Sequence, residues 1–156
     1  MDKAAFAESV QAHQDALFRV AYAILQNRED ALDAVQEAVL RAWIARRKLK
    51  NEALFKTWLT RIVINTARDA LKKRRRPFAA PEPPAASDAS PVLAELCVLP
   101  EKLRLPVVLH YIDGYSVAET AAILHLPMST VRGRLARART RLRLELTGEE
   151  DDYASV

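Results

Sequence analysis

Residues 115–146 read YSVAETAAILHLPMSTVRGRLARARTRLRLEL, and this stretch decides the fold. Ser116 and Glu119 have the spacing of a capping box, in which each side chain accepts a hydrogen bond from the other residue's backbone N–H at the start of a helix. Further along, Leu126-Pro127 interrupts the helical pattern. A second helical pattern follows at once, so the sequence predicts two helices joined by a tight turn.

The second of these helices has an apolar side and an arginine-rich side. Ser129 or Thr130 is expected to cap its start. Apolar residues recur at i, i+4, i+7 and i+11 and form a buried stripe: Val131, Leu135, Ala138 and Leu142. The opposite side consists of Gly133, Ala136, Arg137 and Thr140. The two edges carry Arg132, Arg139 and Arg143 on one side and Arg134 and Arg141 on the other.

This distribution suits the major groove of DNA. Small residues and one arginine at the apex can approach base edges, while arginines on both edges meet the two phosphate walls. The alternative is a solvated basic face on an ordinary bundle helix, which the capped helix and tight turn before it disfavour. The sequence therefore predicts a DNA-binding helix.

Composition and charge favour a helical protein that binds a polyanion. The chain has 156 residues, 50% of them hydrophobic and only three glycine, and it has no alternating strand pattern. Residues 1–76 carry 16 basic and 9 acidic side chains, whereas residues 77–99 carry three acids and no base. Residues 100–156 carry eight of each sign, with four acids in the run 149–152. Two basic parts joined by an acidic segment suggest two contacts with one nucleic acid.

Cysteine and histidine usage indicates neither a metal nor a cofactor. Cys97 is the single cysteine and is expected to be a small buried side chain, and the three histidines lack ligand spacing. No apolar run approaches 18 residues, and the N-terminal sequence does not resemble a signal peptide. We therefore expect a cytoplasmic protein.

The first half of the chain has three helical patterns. They cover roughly residues 3–26, 28–47 and 53–75, with Asn27 as the expected cap of the second helix. Residues 77–91 contain five of the eight prolines and are expected to be a semi-extended linker.

From about residue 92 the helical pattern resumes. Pro100 suits a helix start, Pro106 is expected to kink or restart the helix, and Asp113-Gly114 ends it.

The predicted fold is all-α, with two small helical domains joined by a proline-rich linker. The predicted boundaries are a three-helix domain over residues 1–76, a linker over 77–94, a helix-turn-helix domain over 95–147 and an acidic tail over 148–156.

The third helix carries a basic stripe beside its apolar face, formed by Arg61, Asn65, Arg68 and Lys72. Arginine and lysine contact phosphates, and an asparagine among them can pair with a base edge. Trp58 lies one turn before the stripe and can support an extruded base, whereas Phe55 is expected to be core. Asp69 points toward the apolar side and is expected to be a structural hydrogen-bond partner.

The second helix carries an acidic face of Asp30, Asp33, Gln36 and Glu37. Clustered carboxylates can bind a divalent metal for nuclease chemistry, but no histidine or further acid converges on them in sequence. A surface that docks another protein fits better.

Two parts of the chain resemble one known family. Residues 30–43 (DALDAVQEAVLRAW) and 55–76 (FKTWLTRIVINTARDALKKRRR) are similar to region 2 of extracytoplasmic-function (ECF) sigma factors of bacterial RNA polymerase. Residues 99–142 (LPEKLRLPVVLHYIDGYSVAETAAILHLPMSTVRGRLARARTRL) resemble their region 4. The resemblance covers nearly the whole chain, in the family's order.

The resemblance implies a non-enzymatic initiation factor without cofactor or small-molecule substrate. Its implied partners are promoter DNA, the polymerase core (clamp helices of the largest subunit, and flap) and an anti-sigma factor, which is often membrane-anchored. The implied polymerase-docking residues are Asp30, Asp33, Gln36 and Glu37. The implied minus-ten residues are Trp58, Arg61, Asn65 and Arg68, to which the stripe adds Lys72. The implied minus-thirty-five residues are Arg132, Gly133, Ala136 and Arg137, to which the exposed arc adds Arg134, Thr140 and Arg141.

One departure from the family lies in the turn between the two last helices. His125 stands where many family members have glycine. Another class of function also fits part of the sequence, namely an autonomous dimeric helix-turn-helix regulator that binds palindromic half-sites. Such a regulator needs neither the basic stripe of the third helix nor the acidic face of the second.

Overall fold

The computed structural model describes residues 1–74 and 91–147, which we call the N-terminal and C-terminal halves. Within those ranges every regular element is helical. The N-terminal half consists of α1 (Lys3–Leu25), α2 (Arg28–Ala45) and α3 (Phe55–Lys73). Two short 3₁₀ turns, Arg46–Lys48 and Glu52–Leu54, connect α2 to α3. The three predicted helices are confirmed, with no boundary displaced by more than two residues.

Side chains at the helix starts explain these boundaries. Asp2 accepts a hydrogen bond from the backbone N–H of Ala5 at 2.8 Å, which caps α1. Asn27 accepts one from Asp30 at 2.9 Å, so the predicted cap of α2 is confirmed.

Small side chains let the three N-terminal helices approach closely. The buried residues of α2 are all alanines: Ala31, Ala34, Ala38 and Ala42. Phe6 of α1 fills the space beside them and contacts Trp43 and Phe55 edge-on, with ring centroids 5.1 and 5.7 Å apart. Phe55 is buried as expected.

The C-terminal half consists of α4 (Pro91–Leu96), α5 (Glu101–Val107), a π-helical turn (Val108–Ile112), α6 (Val117–Leu124) and α7 (Met128–Thr147). Residues 91–94, which belong to the segment predicted as a linker, are therefore helical. The rest of that segment and the predicted acidic tail lie outside the described residues.

Three predictions about prolines and caps have different outcomes. Pro100 is the N-cap residue of α5, as expected. Pro106 lies inside α5, and the α-helix changes to the π turn at Val108. Because proline lacks the N–H that an α-helix requires, an irregularity is expected close to it. The predicted cap at Ser129 or Thr130 is wrong, because α7 already begins at Met128.

The two halves share one core. Their buried apolar side chains form a single contiguous cluster that runs from α1 to α7. Two predicted placements are corrected: Cys97 is only half-buried, and Asp69 is half-exposed rather than directed into the apolar side. Asp69 is nevertheless a hydrogen-bond partner, since it accepts from Arg41 at 3.2 Å.

Candidate nucleic-acid interface

The position at which α7 begins determines which of its side chains face the core. The carbonyl of Pro127 accepts a hydrogen bond from the N–H of Val131 at 3.2 Å, so the helical ladder begins immediately after the turn. Val131, Leu135 and Ala138 are then buried, and Leu142 packs against the same core. This stripe is the predicted one, and it directs the remaining side chains of α7 outward.

The predicted outer surface of α7 is exposed. The exposed side chains and the glycine on this surface are Arg132, Gly133, Ala136, Arg137, Arg139, Thr140 and Arg141. Arg134 is half-buried and lines a cleft together with Glu101 and Arg68 of α3. Thr140 donates its hydroxyl hydrogen to the carbonyl of Ala136 at 3.2 Å, which fixes the hydroxyl against the helix.

One tyrosine beside α7 was not identified from the sequence. The hydroxyl of Tyr111 accepts a hydrogen bond from Arg139 at 2.6 Å, although both side chains are exposed. Tyr111 belongs to the π turn, and no local pattern links it to a residue 28 positions later. The contact holds one edge arginine in a defined orientation.

The turn before α7 is built by two local devices. Ser116 and Glu119 form the predicted capping box, with bonds of 3.0 and 2.9 Å. The hydrogen bond from the Ser116 backbone N–H, together with the neighbouring Ser116 hydroxyl, lowers the pKa of the Glu119 carboxyl. At the other end of α6, His125 adopts a left-handed conformation with φ 56°. Histidine therefore occupies a backbone conformation that glycine adopts at lower cost.

The side chains assigned to the α3 stripe differ in their exposure to solvent. Asn65, Arg68 and Lys72 are exposed, whereas Trp58 and Arg61 are half-buried. Trp58 packs against Phe55 with ring centroids 6.0 Å apart.

Two arginines of this stripe contact the C-terminal half. Arg61 bonds Nε2 of His125 in the turn between α6 and α7, and Arg68 pairs with Glu101 of α5 at 3.4 Å. Two members of the α3 stripe thus contact the C-terminal half, while Asn65 and Lys72 remain exposed.

Buried polar groups join the two halves near Asp113. Its carboxyl is 0% exposed, and Oδ1 accepts a hydrogen bond from Nε of Arg19 at 2.8 Å. Burial raises the pKa of Asp113, although the bond from Arg19 acts in the opposite direction. Oδ2 has no hydrogen-bond partner within the described part of the chain. Asp113 is therefore a buried carboxylate that depends on a side chain of the other half.

Two further contacts cross between the halves. The hydroxyls of Tyr115 and Thr60 lie 2.9 Å apart, and burial raises the pKa of Tyr115 to about 12. Arg104 donates hydrogen bonds to the carbonyls of Ala23 at 2.5 Å and Leu99 at 2.6 Å. Burial lowers the pKa of Arg104, whose side chain is among the few buried charged groups.

The acidic face of α2 is partly neutralised by intramolecular arginines. Asp30 pairs with Arg74 at 2.6 Å, and Glu37 pairs with Arg41 at 2.9 Å. Asp33 is exposed, as are Gln36 and Glu37.

The same helix exposes two apolar side chains that the sequence analysis did not single out. Leu40 is 58% exposed and Ile44 is 72% exposed, and both lie further along α2 from the acidic residues. Their four-residue spacing, which places both side chains on one side of the helix, was the sequence signal that could have identified them.

The described residues contain no group of three or more His, Cys, Asp or Glu side chains placed to hold a metal ion. Among these same residues, no helix has both the length and the apolar character required to cross a membrane.

In a comparison with known proteins, the two halves of the chain match two regions of one protein family. Residues 9–77 match the family described as Sigma-70 region 2, and residues 91–142 match Sigma-70, region 4. The chain is 31% identical to the ECF RNA polymerase sigma factor SigW of Bacillus subtilis, over 93% of this chain and 90% of that protein. It is 35% identical to the ECF RNA polymerase sigma factor SigM of Mycobacterium tuberculosis, over 90% of this chain and 76% of that protein.

Two solved structures have a similar fold. One is CnrH in complex with the cytosolic domain of CnrY, with a TM-score of 0.75 and 31% identity over 96% of this chain and 92% of that chain. The other is the sigma factor RpoE in complex with the anti-sigma factor NepR from Bartonella quintana, with a TM-score of 0.79. At 24% identity over 93% of this chain and 98% of that chain, the second likeness concerns the fold alone.

Proposed function

The chain belongs to the family of ECF RNA polymerase sigma factors, and we propose that its two halves act at two promoter elements without any catalytic group of their own. It directs the polymerase to promoters and supports transcription initiation. The observation that carries the residue assignments is the presence, in one chain, of the exposed basic side of α7 and the asparagine–arginine stripe of α3. An autonomous dimeric regulator is not favoured, since region 2 and region 4 occur together.

We assign recognition of the minus-thirty-five element to α7. Gly133 and Ala136 leave room for the helix to approach base edges, and Arg137 is placed at the apex to donate to a guanine. Arg132, Arg134, Thr140 and Arg141 then contact the backbone on either side of the groove. Because guanidinium–phosphate contacts displace counterions, the affinity falls steeply with salt.

We assign recognition and melting of the minus-ten element to α3. Asn65 is exposed and has both a donor and an acceptor, which suits the edge of an extruded base. Arg61, Arg68 and Lys72 follow the single strand through its phosphates. Trp58, half-buried one turn earlier, offers a ring on which a base can stack.

We assign docking on the clamp helices of the polymerase to the outer face of α2. Asp33, Gln36 and Glu37 are exposed there, and Asp30 borders them. Leu40 and Ile44 continue this face with apolar surface, a combination typical of protein interfaces. A region 4 contact with the flap completes the proposed polymerase interface.

We also propose an anti-sigma partner. The two solved structures of similar fold are complexes, one with NepR and one with the cytosolic domain of CnrY. The protein then works in the cytoplasm, on the nucleoid when active and held by its partner at rest, at the membrane if that partner is anchored there. The proposed boundaries are region 2 over residues 1–76, a linker over 77–94, region 4 over 95–147 and a tail over 148–156.

The docking assignment is tested by charge reversal. We expect Asp33→Lys with Glu37→Lys to abolish association with core polymerase, because a positive face then meets a surface that binds acids. The matched control is Glu8→Lys with Asp15→Lys, which makes the same change of charge at exposed positions on α1. Co-elution with core polymerase is the measurement, and circular dichroism verifies folding. Normal association of the α2 variant contradicts the assignment.

A further inference from the structure

On the edge of α7, one exposed arginine has a neutral partner. Arg139 donates a hydrogen bond from Nη1 to the hydroxyl of Tyr111 at 2.6 Å. On α2, by contrast, Arg41 pairs with Glu37 at 2.9 Å, so that a carboxylate offsets its charge. A phenol orients a guanidinium without offsetting its charge. Arg139 is therefore held in a defined orientation and keeps its attraction for an anion.

The hydroxyl of Tyr111 still has a hydrogen to donate. A phenol oxygen carries one hydrogen and also accepts hydrogen bonds through its lone pairs. Arg139 occupies a lone pair, and no acceptor within the described residues takes the hydrogen. The tyrosine side chain is 52% exposed. Tyr111 and Arg139 thus present two adjacent donors to solvent, one of them charged.

The π turn determines where Tyr111 stands. Val108 is buried, and its carbonyl accepts a hydrogen bond from the N–H of Asp113 at 2.8 Å, which closes the turn. The ring of His110 packs edge-on against that of Tyr111, with centroids 4.8 Å apart. Nδ1 of His110 in turn donates to the carbonyl of Tyr115 at 2.7 Å. The tyrosine is therefore positioned by its own segment and does not depend on Arg139.

We propose that Tyr111 and Arg139 form a phosphate site, in which the hydroxyl and the guanidinium donate to one phosphate group of the DNA strand beside α7. The inference rests on the proposed function of α7. It adds to the minus-thirty-five surface a residue that lies outside the helix-turn-helix.

The position of the two side chains favours DNA as the source of the anion. Arg139 lies on the same edge of α7 as the exposed Arg132, about two helical turns away. Cations repeated along one edge of a helix in the major groove follow one phosphate wall. Hydrogen bonds from arginine to phosphate are charge-assisted and short, so an oriented guanidinium suits this ligand. The carboxylate of an acidic peptide is the other anion that fits these donors, and the test separates the two.

The orientation of Arg139 before binding increases its contribution to affinity. An arginine that becomes ordered only on binding loses side-chain entropy at that moment. Because Tyr111 already orients the guanidinium in the free protein, less of this cost remains. Tyr111→Phe removes the orienting contact and one donor while the ring stays. We expect this variant to bind promoter DNA about three- to tenfold more weakly, the usual range for one hydrogen bond.

The experiment measures the affinity of the holoenzyme for duplex promoter DNA in which one phosphate at a time is replaced by an uncharged methylphosphonate. The promoter is one that the wild-type holoenzyme transcribes from host genomic DNA, and the replacements cover both strands of the upstream element. In the wild type, replacement of the phosphate at the proposed site weakens binding. In Tyr111→Phe and in Arg139→Ala, replacement at that same position should cost less, with wild-type sensitivity at the other positions.

The matched control is Tyr115→Phe. It also removes a tyrosine hydroxyl from the C-terminal half, but that hydroxyl is buried against Thr60. This variant should keep the wild-type sensitivity at every phosphate. In Tyr111→Phe, the discrimination between a matched and an altered upstream element should not change, because no base contact is lost. Circular dichroism verifies that each variant is folded.

Three results refute the phosphate site while the wild type transcribes normally. The first is wild-type affinity of Tyr111→Phe for unmodified DNA. The second is weaker binding with the wild-type sensitivity kept at every phosphate, which is the result expected of a tyrosine with only a structural role. The third is weaker co-elution of Tyr111→Phe with core polymerase at unchanged DNA affinity, which assigns the surface to an acidic protein partner. If the wild-type holoenzyme transcribes no promoter, the proposed function is refuted and the phosphate site with it.

Discussion

Helices α3 and α7 both carry arginines suited to DNA, yet their surroundings differ. On α7 the predicted arc faces solvent, with Arg137 exposed at its centre. On α3, Arg61 and Arg68 are engaged by residues 64 and 33 positions away in sequence. One basic surface therefore faces solvent, while two arginines of the other already have partners within the chain. The difference shows that the same residue type is an exposed charge on α7 and a contact between the halves on α3.

The largest effect is expected at the centre of the α7 arc. Arg137→Ala should reduce the discrimination between a matched and an altered upstream element by ~1–3 kcal/mol, about 5- to 150-fold, because a base contact is lost. Competition binding of the holoenzyme to the two promoters measures it.

The control for that substitution is Arg139→Ala at the edge of the same helix. It should weaken binding to both promoters equally. It should also reduce the slope of log affinity against log salt concentration by about one, as expected for a phosphate contact. If Arg137→Ala reduced the affinity for both promoters equally, this arginine would not contact a base. The proposed difference between the apex and the edge of α7 would then be wrong.

An intermediate effect is expected from the helix caps, one in each half. Ser116→Ala removes the capping box of α6, and Asp2→Ala removes the cap of α1. Each should cost ~1 kcal/mol of helix stability. Hydrogen exchange should show faster exchange in α6 for the first variant and in α1 for the second. Exchange that accelerates equally in both halves for either variant would mean that the halves open only as one unit.

The smallest effect is expected from two carboxylates that respond to pH with opposite signs. Hydrogen bonds from Ser116 lower the pKa of Glu119 below its ordinary 4.5, so its stabilisation is present above that pH and is lost as the pH falls through the lowered value. Burial raises the pKa of Asp113 above 3.8, so its ionisation costs stability as the pH rises through the raised value.

Urea unfolding between pH 3 and 7 separates these two contributions. As the pH falls, the wild type should lose stability relative to Glu119→Gln and gain stability relative to Asp113→Asn. Parallel pH profiles for the wild type and Asp113→Asn would show that Asp113 is not held in the buried environment that joins the halves.

Local patterns in the sequence were sufficient for the elements and for the α7 surface. The capping box at Ser116, the cap at Asn27 and the stripe beginning at Val131 depend on residues within one or a few turns. Periodicity of 3.6 residues places such groups without any knowledge of the rest of the fold. The start of α7 was misplaced by the same reasoning, because two hydroxyl residues follow Pro127 and both resemble caps.

Contacts between distant residues were not predictable in this way. Arg19 and Asp113 lie 94 positions apart, and Arg139 and Tyr111 lie on different elements. No period relates such pairs, so these contacts emerged only from the three-dimensional structure. The exposed Leu40 and Ile44 were missed for another reason, since an apolar residue on an amphipathic helix is ordinarily assigned to the core.

The buried guanidinium of Arg104 has a consequence for how the molecule comes apart. It binds the carbonyl of Ala23 in α1, so one partner comes from each half. If this junction opened, water could solvate both the cation and the carbonyl, whereas a purely hydrocarbon junction would expose only surface that water disfavours. Arg104 would therefore lower the free-energy cost of opening relative to an apolar side chain at the same position.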